Sequence, residues 1–168
     1  MNIILIGFMG CGKSTVGKLL AKELKLSFVD SDSLIEEKEN KKISAIFKEN
    51  GEARFRNIET RVLAELKDSD GIVLSTGGGI ILKEENVSLL KKMGPIILLW
   101  ADPEVIYDRI KYDKQRPLLQ VNDPKAEIEK ILEFRKTYYY SAAEKVFDTT
   151  EIDQKEVAEE IIEWLRSK

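Results

Sequence analysis

The stretch Gly7-Phe8-Met9-Gly10-Cys11-Gly12-Lys13-Ser14 constrains this chain more than any other. It reads G-x-x-x-x-G-K-[ST], and its two flanks fit the motif. Asn2-Ile-Ile-Leu-Ile6 is an apolar run of strand length, and after Ser14 the apolar positions Val16, Leu19, Leu20 and Leu24 recur at helical spacing. A tight glycine-bearing turn between a strand and a helix points its N–H groups at one centre. The positive end of the helix adds to that field. A polyphosphate suits such a nest, with Lys13 reaching the β- and γ-phosphates and the Ser14 hydroxyl offered to Mg²⁺. The alternative is a glycine-rich turn that binds nothing.

The remainder alternates strand-like and helical patterns. A second strand is expected over Leu26–Val29 and ends at Asp30-Ser31-Asp32. Helical segments follow at about 33–39, 43–49 and 52–67, and Asp68–Gly71 forms a turn. The strand Ile72–Leu74 leads into Ser75-Thr76-Gly77-Gly78-Gly79. A helix near 83–93 precedes Gly94-Pro95 and the strand Ile96–Trp100. Asp102-Pro103 starts a helix with a capping carboxylate and proline in the first turn. A long helix covers about 124–143, Val146-Phe147 is an edge strand, and Asp153 with Glu156 brackets a last helix. Continuous apolar strands alternating with helices predict a parallel sheet covered on both faces. Ligands bind such sheets at the carboxyl ends of the strands. The phosphate loop, Asp30–Asp32 and Ser75–Gly79 all fall there and predict one cleft in a single domain.

Composition narrows the chemistry. At 168 residues with 43% hydrophobic and 34% charged content, the chain suits one soluble domain. A net charge of −3 argues against a general nucleic-acid binder. No apolar run approaches the roughly 20 residues of a membrane span. The N-terminal apolar run is expected to belong to the sheet rather than to a cleaved signal. The single Cys11 excludes an internal disulfide, fits a reducing cytosol, and reads as a small loop residue. There is no histidine, so the commonest general base and metal ligand are missing. Carboxylates, Lys, Arg, hydroxyls, the backbone and a hard cation are left to do the work.

Several residues invite a role. If strand conformation persists past Val29, Asp30 and Asp32 face one way. They could then hold Mg²⁺ through water and accept a proton, or else they cap a helix. Arg56 and Glu59, three apart on a helix, read on geometry alone as a solvated surface pair. Gly77-Gly78-Gly79 after a buried strand implies close backbone approach, to a ligand or to another segment. Arg135 lies in the inward stripe Ile128, Ile131, Leu132, Tyr139, Ala142. It needs either an internal salt bridge or an anionic ligand. Arg116 sits in a charged loop over 113–123 that reads as a lid. The run Tyr138-Tyr139-Tyr140 reads as core and surface packing.

Taken in order, G-F-M-G-C-G-K-S at 7–14, D-S-D at 30–32, F-R-N-I-E at 55–59, G-G-G at 77–79, R-P-L-L at 116–119 and R-K-T-Y-Y at 135–139 resemble the shikimate kinase family over nearly the whole chain. The resemblance implies a three-layer P-loop kinase fold. Its five-stranded parallel sheet would have the order 2-3-1-4-5, as in nucleoside monophosphate kinases. The core would be 1–30, 68–111 and 143–168, the substrate-binding region 31–67 and the lid 112–124. The implied reaction takes ATP and shikimate to shikimate 3-phosphate and ADP, in aromatic amino-acid biosynthesis in the cytoplasm. The implied ATP-binding positions are Gly10, Cys11, Gly12, Lys13, Ser14, Thr15, Arg109 (near adenine) and Arg116 (from the lid). One Mg²⁺ would be held by Ser14 and, through water, by Asp30. Asp32 matches the candidate base, Arg56 and Arg135 the clamp on the shikimate carboxylate, and Glu59 the residue that orients that clamp. Gly78 and Gly79 match backbone donors to substrate. Asp148–Gln154 lacks the proline and basic residues often seen in the family's adenine loop. A monomer without nucleic-acid or membrane partners is expected. Two rival readings are a kinase for a nucleotide or another sugar acid, and a non-enzymatic ATP-binding module.

Overall fold

Runs such as Ile3–Ile6 and Ile72–Leu74 carry nothing that could face water on either side of a pleat, so they fold only where both sheet faces are covered. A computed structural model of the chain describes residues 1–114, 116 and 120–168. Its strands are β1 (Ile3–Ile6), β2 (Ser27–Asp30), β3 (Ile72–Ser75), β4 (Ile96–Trp100) and β5 (Lys145–Asp148). All neighbours pair in parallel, in the order β2-β3-β1-β4-β5. Every residue of β1 and β3 is buried, whereas the edge strand β2 is only partly so.

The helices are α1 (Lys13–Leu24), α2 (Ser31–Glu39), α3 (Ile43–Leu66), α4 (Glu84–Met93), α5 (Pro103–Ile110), α6 (Pro124–Ala142) and α7 (Gln154–Arg166). A short 3₁₀ turn at Ile80–Leu82 precedes α4. Helix α1 packs on α7 and β3, and α6 on α5 and β4. The apolar side chains of these elements and the sheet form one continuous core. A second, smaller core of Ile35, Ile46, Phe55, Ile58 and Val62 joins α2 to α3 beside the carboxyl edge of the sheet. It supports the wall on which Arg56 and Glu59 stand.

Local chemistry sets the boundaries. Gly51 takes φ 77° and ψ 172° inside α3, which breaks that segment into the two helical pieces expected at 43–49 and 52–67. Asp30, Asp123 and Asp153 each accept a backbone N–H at the start of α2, α6 and α7. Asp102 departs from expectation, because its side chain makes no capping bond to α5. Its own N–H instead donates to Thr150 Oγ1 at 3.0 Å, and Pro103 alone shapes that first turn.

Candidate active site

The segments that leave the carboxyl ends of β1, β2 and β3 meet α3, α6, Asp113 and Arg116 around one cavity of about 250 Å³. Its walls include Asp32, Arg56, Glu59, Gly77–Gly79, Arg116 and Arg135. The phosphate loop forms one margin. Lys13 is buried, and its Nζ donates to the carbonyls of Gly7 and Phe8, each at 2.8 Å. Burial pushes the Lys13 ammonium down from its usual pKa, while Cys11, Asp32 and Asp30 oppose that shift. Cys11 is itself buried among the loop residues. Ser14 and Thr15 open α1 on the exposed side.

Asp30 does two jobs at once. Oδ1 accepts the N–H groups of Asp32 and Ser33, at 3.0 and 3.1 Å, and Oδ2 accepts the Ser14 hydroxyl at 3.1 Å. The strand does not continue past Asp30, so the expected strand alternation does not place the two carboxylates. Asp32 stands in the first turn of α2 and lines the cavity instead. Burial raises the Asp32 carboxyl above its ordinary value and the Asp30 charge adds to that. Lys13, Arg116 and Arg56 pull the other way. Ser14 and Asp30 together offer only hydroxyl and carboxylate oxygen, the donors a hard divalent cation takes beside phosphate and water.

The Arg56–Glu59 pair is no solvated surface pair. Arg56 Nη1 donates to Glu59 Oε2 at 2.6 Å, and Nη2 to Glu52 Oε1 at 3.0 Å. The Glu59 side chain is 0% exposed and that of Arg56 12%. Helical spacing alone could not show this, because the burial comes from the glycine segment laid across the pair. A Cβ added at Gly79 would overlap the Arg56 guanidinium, and one at Gly77 would come within 2.7 Å of Asp32 Oδ1 and Glu59 Oε1. The close approach read from G-G-G is therefore to these side chains as well as to the cavity.

Arg135 is 4% exposed, as its place in the stripe requires. Its guanidinium lies over the Phe8 ring, 5.8 Å from the centroid. The inward atoms Asp32 Oδ1, Arg56 Nε, Glu59 Oε1 and Arg135 Nε are buried without a hydrogen-bond partner among the described residues. Four orphaned polar atoms around one cavity are costly unless a polar occupant meets some of them. Two guanidiniums and a carboxyl suit a small acid that also carries a hydroxyl.

Arg116 Nε donates to Asp113 Oδ2 at 2.9 Å, and both residues line the cavity. Residues 115 and 117–119 of the expected lid lie outside the described residues. Arg109 donates to the Gly10 carbonyl at 3.0 Å and to the Thr149 carbonyl at 2.7 Å. It thus ties the phosphate loop to the segment after β5. Thr149 is fully buried, with its hydroxyl 3.1 Å from the Cys11 carbonyl. Nothing in its sequence context marks it. Ser31 was legible only as a neighbour of two aspartates, yet its Oγ accepts the Gly77 N–H at 2.9 Å.

The family model described as "Shikimate kinase" matches residues 9–166. A shikimate kinase of Thermodesulfovibrio yellowstonii is 45% identical over 161 residues, covering 96% of this chain and 92% of its own. A solved structure of the Acinetobacter baumannii shikimate kinase in complex with shikimate superposes with a TM-score of 0.96 at 39% identity, covering 99% of this chain and 93% of its own. The shikimate kinase of Aquifex aeolicus gives 0.85 at 38% identity, with 99% and 96% covered.

Proposed function

The chain belongs to the shikimate kinase family and is a phosphotransferase of that class, and we propose, residue by residue, how it moves the γ-phosphoryl group of ATP to the 3-hydroxyl of shikimate. The observation that carries this reading is that Arg56 and Arg135 line the same cavity as Asp32 and Arg116, at the margin of the phosphate loop. The ATP phosphates lie against the N–H groups of Gly10 to Thr15. Lys13 leaves the Gly7 and Phe8 carbonyls to reach the β- and γ-phosphates. Arg109 braces that loop near the nucleotide.

Arg56 and Arg135 take the shikimate carboxylate between two forks, and Glu59 fixes the rotamer of Arg56. The N–H groups of Gly78 and Gly79 donate to the ring hydroxyls. Asp32 accepts the proton of the 3-hydroxyl, whose oxygen attacks the γ-phosphorus as the bond to the β-bridging oxygen breaks. Shikimate 3-phosphate and ADP result. Arg116 closes on the transferring group and helps exclude water, which would otherwise act as acceptor. Ser14 and, through water, Asp30 would hold one Mg²⁺, which would supply charge neutralisation for the phosphoryl group in transfer. With no histidine, positioning and charge neutralisation supply most of the rate.

We assign the substrate-binding region to 31–67, the lid to 112–124 and the core to 1–30, 68–111 and 143–168. A cytoplasmic monomer completes the reading. No helix among the described residues is long and apolar enough to cross a membrane. An ADP-release assay over candidate acid and nucleotide acceptors tests it. Turnover is expected with shikimate and not with a nucleoside monophosphate or gluconate.

A further inference from the structure

The geometry points to Ser31 and Tyr139 as a pair of positioning residues that decide which backbone groups of Gly77–Gly79 are left for the acceptor. The inference rests on the shikimate reading of the cavity. Ser31 Oγ accepts the Gly77 N–H at 2.9 Å from the β2 side. The Tyr139 hydroxyl donates to the Gly78 carbonyl at 2.5 Å from the α6 side. Both residues are buried, Ser31 at 4% exposure and Tyr139 at 0%. The Gly77 and Gly79 carbonyls are taken by the N–H groups of Ile80 and Leu82 in the following turn. That leaves the Gly78 and Gly79 N–H groups without a protein acceptor among the described residues. They adjoin the cavity that holds both arginines.

Each hydroxyl also fixes a neighbour of the acceptor. Ser31 stands between Asp30, which bonds Ser14, and Asp32, which lines the cavity. Tyr139 is one helical turn after Arg135, and Arg135 Nη1 and the Tyr139 hydroxyl would stand 3.5 and 3.6 Å from a Cβ built on Gly78. Burial pushes the phenol well above its ordinary pKa, so it remains a donor. A buried hydroxyl that pins one glycine carbonyl and abuts an acceptor-binding arginine sets the spacing between them. Ser31 sets the spacing between the same segment and Asp32.

The test compares the full-length wild type with Ser31→Ala, Ser31→Thr and Tyr139→Phe by ADP release. ATP and shikimate are varied in turn, and melting temperatures are taken alongside. Ser31→Ala and Tyr139→Phe are expected to raise the shikimate KM about three- to ten-fold, the effect of one net hydrogen bond. The ATP KM should stay within about two-fold, and Ser31→Thr should behave like wild type because it keeps the oxygen. Should Ser31→Ala fail to fold, Tyr139→Phe carries the comparison, since it removes only the hydroxyl and keeps the buried ring. Equal rises in both KM values, or no change in either, would overturn the inference. A wild type that releases no ADP with shikimate sinks the function and the inference together. An active wild type with indifferent variants sinks the inference alone.

Discussion

The site's energetics turn on charges that cannot reach bulk water. Arg135 is 4% exposed and its Nε is unpaired among the described residues, so an anion at its fork is met at little extra desolvation. Arg56→Ala and Arg135→Ala should each raise the shikimate KM by about ten-fold or more, a loss of about 1.5–3 kcal/mol for a charged hydrogen-bond partner. ATP binding should persist in both, as read by nucleotide titration. Asp32 gives a pH signature. Its folded carboxyl sits above the ordinary 3.8, mainly through burial, so the folded state binds that proton more tightly than the unfolded chain. Its contribution to stability is complete below 3.8 and is lost as pH rises through the folded value. Activity runs the opposite way under the role proposed for Asp32, because a general base must be ionised. The acid limb of kcat/KM should therefore lie above 3.8, and Asp32→Asn should remove most turnover while shikimate binding survives. These residues were visible in the chain for different reasons. Arg135 betrayed itself as a charge in an apolar stripe. Arg56 and Glu59 looked like a surface pair, because what buries them, Gly77–Gly79, lies about twenty residues away in the sequence.

At the scale of elements, the site depends on backbone that comes closer than side chains permit. Gly79→Ala would drive a methyl group into the Arg56 guanidinium. It should raise the shikimate KM by about ten-fold while leaving the melting temperature nearly unchanged, since a flexible side chain can yield but then leaves the acceptor. Gly51 is the contrasting case. Nothing lies within 4 Å of a Cβ added there, yet φ is +77°. Gly51→Ala should therefore cost stability alone, about 1 kcal/mol by denaturant melts, from backbone strain and not from a clash. The break in α3 was readable because glycine weakens a helix wherever it occurs. The failure of Asp102 to cap α5 was not, since that depends on the Thr150 hydroxyl meeting its N–H across the sheet edge. The strand-based placement of Asp30 and Asp32 failed for a local reason. The capping bonds of Asp30 start α2 one residue later, and helical geometry then carries Asp32 into the cavity.

For the whole molecule, the chain's alternation predicts a parallel sheet, and the observed order β2-β3-β1-β4-β5 is the one that the family resemblance implies. The carboxyl ends of β1, β2 and β3 share one edge because the strands run parallel, and they are neighbours because β3 lies between the other two. Long-range polar ties then join segments that lie far apart in the sequence. Arg109 and Thr149 join the phosphate loop to the far edge strand, and Ser31 joins β2 to β3. Such ties connect residues remote in sequence, and no periodicity or motif spacing announces them. The fold class was therefore open to reading from local pattern, whereas the packing that buries Arg56, Thr149 and Ser31 emerged only from the assembled sheet. The most direct measurement is ADP release from the wild-type protein with ATP, Mg²⁺ and a panel of acceptors that includes shikimate, gluconate and a nucleoside monophosphate. The account predicts saturable turnover with shikimate alone, its shikimate KM raised about ten-fold or more on replacing either Arg56 or Arg135 by alanine. Turnover with another acceptor of the panel in preference to shikimate, or shikimate kinetics unchanged in both arginine variants, would contradict it.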